Sequence, residues 1–300
     1  MTVVVELFDT VPVKNILGES VLWNARTARL WWTDIKGRLL FRYDPATRVL
    51  AQFETPQRLC TFAFVAGSDR LLAAFESGLA FYDPATGAME WLYRLEKGIA
   101  PIRFNDGRTD RQGRFWAGTM VDGDWPEPLG RLHCLGPDGT VRVQADPVSI
   151  SNAICTSPDG KRLYFADSPR RTIFAYDLDR KTGTLANRRI FVRTPENARP
   201  DGANVDAEGF VWVAHWGGGR VVRYAPDGSE DRVVDIPASQ PTCIAFGGAD
   251  MDLLFVTSAR AGLNADALMR QPEAGSLFVY KTGITGLVDA EYIYEGHDQS

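Results

Sequence analysis

The sequence predicts an all-β fold, a six-bladed β-propeller running from residue 1 to residue 300 as one domain, with the N-terminal strand closing the last blade. Three observations predict it. A two-strand pattern recurs six times at intervals of roughly 40–50 residues, the period of propeller blades. Helix-periodic segments are scarce, which disfavours a parallel α/β fold. Six units of this size account for all 300 residues, leaving no linker and no second domain.

Each unit reads as a polar turn, an apolar strand, a polar or glycine break, and a second apolar strand ending near Asp-Pro or Pro-Asp-Gly. The first runs Arg29-Leu-Trp-Trp-Thr-Asp, then Gly37-Arg-Leu-Leu-Phe-Arg-Tyr-Asp-Pro. The second runs Arg70-Leu-Leu-Ala-Ala-Phe, then Gly78-Leu-Ala-Phe-Tyr-Asp-Pro. The third runs Arg114-Phe-Trp-Ala-Gly-Thr, then Gly130-Arg-Leu-His-Cys-Leu-Gly-Pro-Asp-Gly. The fourth runs Arg162-Leu-Tyr-Phe-Ala-Asp, then Thr172-Ile-Phe-Ala-Tyr-Asp. The fifth runs Phe210-Val-Trp-Val-Ala-His, then Gly219-Arg-Val-Val-Arg-Tyr-Ala-Pro-Asp-Gly. The sixth runs Asp252-Leu-Leu-Phe-Val-Thr, then Gly275-Ser-Leu-Phe-Val-Tyr, and ends in Ala290-Glu-Tyr-Ile-Tyr. The apolar stretch Val3-Val-Val-Glu-Leu-Phe belongs to no early unit, so it is assigned to the outer edge of the last blade, where it would protect an open sheet edge. Extra residues at Asp122-Gly-Asp-Trp-Pro-Glu-Pro and at 261–274 read as loop insertions over one end of the ring.

Composition narrows the function. A net charge of −5 and the absence of a basic run argue against nucleic acid as a partner. No stretch approaches the roughly 18 apolar residues of a membrane span, and the N-terminus lacks a signal peptide's basic flank and long apolar region. The cysteines Cys60, Cys134, Cys155 and Cys243 are widely spaced and lie in apolar strand segments. They read as buried free thiols in a reducing cytoplasm.

A further polar residue marks each unit. Glu19, Thr61, Asn105, Asn152, Asp201 and Thr242 each begin a short apolar segment, nine or ten residues before the next apolar strand. The innermost strands of a propeller line its channel, so six equivalent oxygen-bearing positions would converge at one mouth. Two are carboxylates, and burying them unpaired costs several kcal/mol each. One divalent cation resolves the conflict, and Glu, Asp and Asn oxygens suit Ca²⁺, Mg²⁺ or Mn²⁺. The absence of His and Cys from the set argues against a typical zinc site. Strand alternation places Arg103 and Asn105 on one face, both able to point into that mouth beside Asp106. Arginine there would donate to substrate hydroxyl or carbonyl oxygens. His133 lies in a blade strand, His297 in the tail, and His215 at a strand end beside the cleft. No Ser-His-Asp order, nucleophile elbow or phosphate loop stands out.

Four stretches carry a resemblance to a known family. They are Leu17-Gly-Glu-Ser-Val-Leu-Trp, Arg103-Phe-Asn-Asp-Gly-Arg with Gly113-Arg-Phe-Trp-Ala-Gly-Thr-Met, Ser151-Asn-Ala with Tyr164-Phe-Ala-Asp-Ser, and Pro200-Asp-Gly-Ala-Asn-Val-Asp-Ala-Glu-Gly. Val256-Thr-Ser-Ala-Arg adds to them. Over nearly its full length the chain resembles the SMP-30/gluconolactonase (regucalcin-like) family. That resemblance implies a six-bladed propeller with one catalytic divalent metal, which the same oxygens would accept as Ca²⁺, Mg²⁺, Mn²⁺, Zn²⁺ or Fe²⁺. It implies Glu19, Asn152 and Asp201 as metal ligands, and Arg103 and Asn105 as substrate contacts. Some members place a Glu after the Gly-Thr-Met motif to hold substrate hydroxyls. Here Gly123 stands there, flanked by Asp122 and Asp124, which become the candidates for that contact. Gly-Glu-Ser also replaces the commoner Gly-Glu-Gly.

The implied reaction is hydrolysis of an aldonolactone to its open-chain acid, with Asp201 as general base. The sugar itself is left open. The same fold also hosts metal-dependent ester and organophosphate hydrolysis. A non-catalytic, calcium-binding propeller scaffold is the reading from a different class.

Overall fold

The computed structural model describes residues 5–96, 101–123, 127–144 and 147–296. Asp124, Val3 and Val4, and His297 fall outside these. The described residues form six four-stranded sheets, each antiparallel throughout. Blade 1 starts with strand Gly18–Asn24, blade 2 with Leu59–Phe64, and blade 3 with Ile102–Thr109. Blade 4 starts with Ser151–Thr156, blade 5 with Arg199–Val205, and blade 6 with Pro241–Gly247. These first strands pack against one another in a closed circuit, blade 6 returning to blade 1, and so form the wall of the channel.

The inner three strands of every blade are almost wholly buried, because both of their faces meet neighbouring blades. That is why they read as continuous apolar runs. The fourth strands are half exposed, as Val49–Glu54 and Glu230–Asp235 show. Side chains between blades supply the core. Trp23 of blade 1 stacks on Phe255 of blade 6 with ring centres 5.9 Å apart, and Trp212 of blade 5 meets Phe246 of blade 6 edge-on at 5.5 Å.

The ring closes as expected. Strand Glu6–Val11 pairs antiparallel with Leu277–Lys281 and becomes the outermost strand of blade 6. The C-terminal segment differs from its expected place. Residues after Thr282 leave blade 6 and cross the ring. Gly286 bridges Asp206 of blade 5, Arg111 of blade 3 donates to the Val288 carbonyl at 2.7 Å, and Tyr292 bridges Val65 of blade 2. The edge that this segment would have covered is already taken by the N-terminal strand, so its apolar residues find burial across the channel instead. Tyr292 is fully buried there, and its hydroxyl donates to the Gly136 carbonyl at 2.9 Å.

One irregularity recurs in all six inner strands. Pairing with the second strand slips between Glu19 and Leu22, Leu59 and Thr61, Phe104 and Gly107, Asn152 and Cys155, Pro200 and Ala203, and Pro241 and Ile244. A bulge bends the strand and re-aims its side chains. In two blades the residue after the marked polar position is left-handed, Ser20 at φ 49° and Ala153 at φ 55°. Both are L residues in a region that ordinarily favours glycine.

Candidate functional site

At the mouth where the inner strands begin lies a cavity of about 640 Å³. Four of the six marked residues line it: Glu19, Asn105, Asn152 and Asp201. The two threonines do not. Thr61 Oγ1 donates to the Gly107 carbonyl and meets Ser20 Oγ, each at 2.9 Å, while Thr242 Oγ1 donates to the Gly18 carbonyl. Both are fully buried. Their short hydroxyls are taken up by neighbouring strands, Thr242 also meeting Thr257 Oγ1 of its own blade at 2.9 Å, so these two hold the ring together rather than face its axis.

Glu19 and Asp201 are 8% and 5% exposed. Neither has an ion pair among the described residues, and each accepts only from the amide of the next residue, Ser20 or Gly202. Burial, followed by the charge of Asp106, pushes the Glu19 carboxyl up to about 8. Burial, followed by the charges of Glu19 and Asp106, raises Asp201 well above the usual carboxylate range. Two buried carboxylates that repel one another require a proton or a cation. Among the described residues no group of three or more His, Cys, Asp and Glu could hold a metal. The candidate set here is two carboxylates and an amide, a hard-oxygen set of the kind Ca²⁺ and Mg²⁺ accept.

The amide's orientation follows from its network. Ser168 Oγ donates to the Pro200 carbonyl at 2.7 Å, so it must accept from Asn152 Nδ2 at 2.9 Å. That leaves Asn152 Oδ1 as the acceptor, taking one bond from Asn105 Nδ2 at 3.0 Å with a lone pair to spare. Asn105 Nδ2 also donates to the Ser151 carbonyl at 3.0 Å, so Asn105 Oδ1 faces Arg103 and accepts from its Nη1 at 2.9 Å. The chain Arg103–Asn105–Asn152–Ser168 is therefore directed throughout. The residues present fit a divalent cation: two unpaired carboxylates and one oriented amide oxygen open onto the same cavity.

Arg103 is anchored by Asp122, whose Oδ1 accepts from Nε at 3.1 Å, and its Nη1 also reaches the Phe104 carbonyl at 2.8 Å. Its Nη2 has no protein partner among the described residues. Asp122 is engaged twice over. Its oxygens accept from both terminal nitrogens of Arg58, at 3.2 and 2.6 Å, and Arg58 Nε turns back to Glu76 at 2.6 Å. Arg58, more than Arg103, holds the Asp122 carboxyl below its ordinary range. Asp122 and Gly123 line the cavity, while Asp124 lies outside the described residues. The second insertion reaches the mouth through Ala261 and Gly262, ahead of a one-turn helix Ala265–Arg270 capped by Asn264. His215 is not in the lining: it is buried, with Nε2 against Tyr224 Oη at 3.1 Å.

Sequence reasoning missed Arg58. A signal was available, since Arg58, Arg103 and Arg199 each stand two or three residues ahead of a marked polar position, and all three line the cavity. A basic residue repeated at that offset points to the same mouth.

The SMP-30/gluconolactonase/LRE-like region matches residues 17–260. An L-arabinolactonase of Azospirillum brasilense is 42% identical over 93% of each chain. A 6-deoxy-6-sulfogluconolactonase of Pseudomonas putida is 34% identical over 94% of this chain and 96% of that one. Among solved structures, a calcium-binding protein, regucalcin, from Agrobacterium tumefaciens superposes with a TM-score of 0.89 at 31% identity, covering 95% of this chain and 97% of its own.

Proposed function

The chain belongs to the SMP-30/gluconolactonase/LRE-like family, and from that premise we propose that it is a lactonase that hydrolyses a sugar lactone to the aldonic acid with the help of one divalent cation. The lactonases among its relatives support the reaction class. The observation that carries the cation is the Glu19–Asp201 pair, buried at one cavity with no ion pair among the described residues, the charge of Arg103 on Glu19 being outweighed by burial and by Asp106.

Glu19, Asn152 and Asp201 would hold the ion. When bound, it would polarise the lactone carbonyl as a Lewis acid. Asp201 then serves as general base, taking the proton of the water that attacks the carbonyl carbon. The ring C–O bond breaks, and the ring oxygen leaves as a hydroxyl by taking up the proton that Asp201 had accepted. Arg103 supplies Nη2 to a substrate oxygen, and Asp122 and Asn105 hold that guanidinium in one rotamer. Orientation of this kind contributes to rate because the entropy of positioning is met on binding. Asp122 therefore acts on substrate through Arg103, its two oxygens being already committed to guanidinium groups.

The test is a panel of aldonolactones, assayed by acid release before and after chelation and with Ca²⁺, Mg²⁺, Mn²⁺, Zn²⁺ or Fe²⁺ restored. A pentonolactone is the first substrate to try, given the 42%-identical relative. Loss of turnover on chelation and recovery with an added ion are expected. Undiminished turnover after chelation would refute the cation's part, and no turnover on any lactone would refute the reaction.

A further inference from the structure

The C-terminal segment places a charge on the channel axis, beneath the site. Arg108 lies on the same inner strand as Arg103 and Asn105, three residues beyond Asn105 and past the bulge between Phe104 and Gly107. Its side chain crosses from blade 3 to the opposite blade. Nη2 donates to the Ile244 carbonyl of blade 6 at 3.1 Å, and Nη1 meets both carboxylate oxygens of Asp289 at 2.7 Å. The pair is buried, with side chains 6% and 9% exposed. Asp289 belongs to the segment that crosses the ring, so the tail delivers this carboxylate. Between Arg108 and the mouth stands Asp106, its oxygens accepting from the amides of Gly107 at 2.8 Å and Ile154 at 3.0 Å. The charge of Arg108 acts on Asp106, and that of Asp106 acts on both Glu19 and Asp201.

We propose that the Arg108–Asp289 ion pair is the electrostatic floor of the site, with Asp289 as a positioning residue that cancels Arg108 and so sets how tightly Glu19 and Asp201 hold a cation. The inference rests on the cation reading above and adds to it an assignment for the tail. A lone guanidinium on the axis would repel a divalent ion along a buried, poorly screened path. The bidentate carboxylate removes that repulsion without removing the bridge between blades 3 and 6.

The test is Ca²⁺ titrated into chelator-treated protein by calorimetry, with the full chain. Asp289→Asn keeps the shape and removes the charge, and it is expected to weaken Ca²⁺ binding tenfold or more, with Asp289→Glu restoring it. Arg108→Met combined with Asp289→Leu removes both charges and replaces a buried pair by apolar groups, which folds commonly tolerate. That double variant is expected to bind Ca²⁺ within about threefold of wild type. A purely structural pair would give the opposite order, with the double variant worse than the single one or equal to it. Asp289→Asn that binds Ca²⁺ as wild type does overturns the inference while leaving the cation reading intact. Wild-type protein that binds no divalent cation overturns both. Should Asp289→Asn not fold, the double variant decides alone, since tenfold-weakened Ca²⁺ binding in it contradicts the proposal.

Discussion

Asp201 is buried with no ion pair among the described residues. Desolvation disfavours its charge, Glu19 and Asp106 add repulsion, and only the Gly202 amide opposes them. A residue so placed costs stability rather than supplying it, as the proposed general base would. Asp201→Asn should therefore lower turnover by about 100-fold or more, the usual weight of a general base. The same change should leave the thermal midpoint of chelator-treated protein at pH 8 unchanged or higher, because it removes a repelling charge. A midpoint several degrees lower would mean that the carboxylate is structural. Asp122→Asn gives a different signature. It frees Arg58 and Arg103 without touching the reacting atoms, so KM should rise more than kcat falls. The marked carboxylates were legible in the sequence because they share one register in the repeat. Arg58 was not singled out, and its pairing with Asp122 could not be read, since it joins residues 64 positions apart that only the fold brings together.

The bulge in each inner strand explains which parts of the elements could be read. The second and third strands are regular, and Arg29–Asp34, Gly78–Tyr82 and Arg162–Asp167 coincide with the apolar runs that predicted them. The outer strands of blades 1 to 5 were passed over because they are largely exposed and have no alternation strong enough to separate them from loops. The bulges were invisible as well, since Ser20 and Ala153 are not residues that announce a left-handed backbone. Close packing at these bulges makes a test. A Cβ on Gly202 would meet Cys243 Sγ at 2.7 Å and the Cys243 Cα at 2.8 Å. Gly202→Ala should cost about 1–3 kcal/mol by urea unfolding, and it should weaken Ca²⁺ binding because the strain falls beside Asp201. A second element repeats in blades 3 and 5. Asp110 and Asp206 each accept from a tryptophan Nε1 at 2.8 Å, from two amides of their own turn, and from an arginine. Their spacing, Asp-x-x-Gly-x-x-Trp, was in the sequence, but only burial shows that the aspartate is the turn's anchor.

At the scale of the whole molecule, stability depends on neutral groups kept in the core and on how the ring is shut. Burial pushes His133 down to about 4 and His215 down to about 3. A buried base with a lowered pKa stays neutral in the folded chain while the unfolded chain takes up a proton near pH 6.5. Its contribution is complete above that pH and is lost as the pH falls towards 4, by up to about 1.4 kcal/mol per pH unit for each histidine. Glu19 and Asp201 pull the other way in metal-free protein, so the comparison to make is between wild type and His133→Phe, which should lose less stability between pH 7 and pH 5 by urea unfolding. Closure makes a separate demand. Only Val11 of strand Glu6–Val11 is buried, so deleting residues 1–12 takes little of this strand's surface out of the core directly. What it removes is the cover on Leu277–Lys281, whose Phe278, Val279 and Tyr280 are buried and whose outer backbone groups would then be unpaired. An apolar strand left at an edge recruits another. The deletion should lower the thermal midpoint by several degrees and produce concentration-dependent association in gel filtration. Turnover at low temperature should persist, because the site is built from inner strands that this edge does not touch. A deletion variant that elutes as wild type does and is as stable would show that the tail's crossing of the ring, not the N-terminal strand, holds the ring closed.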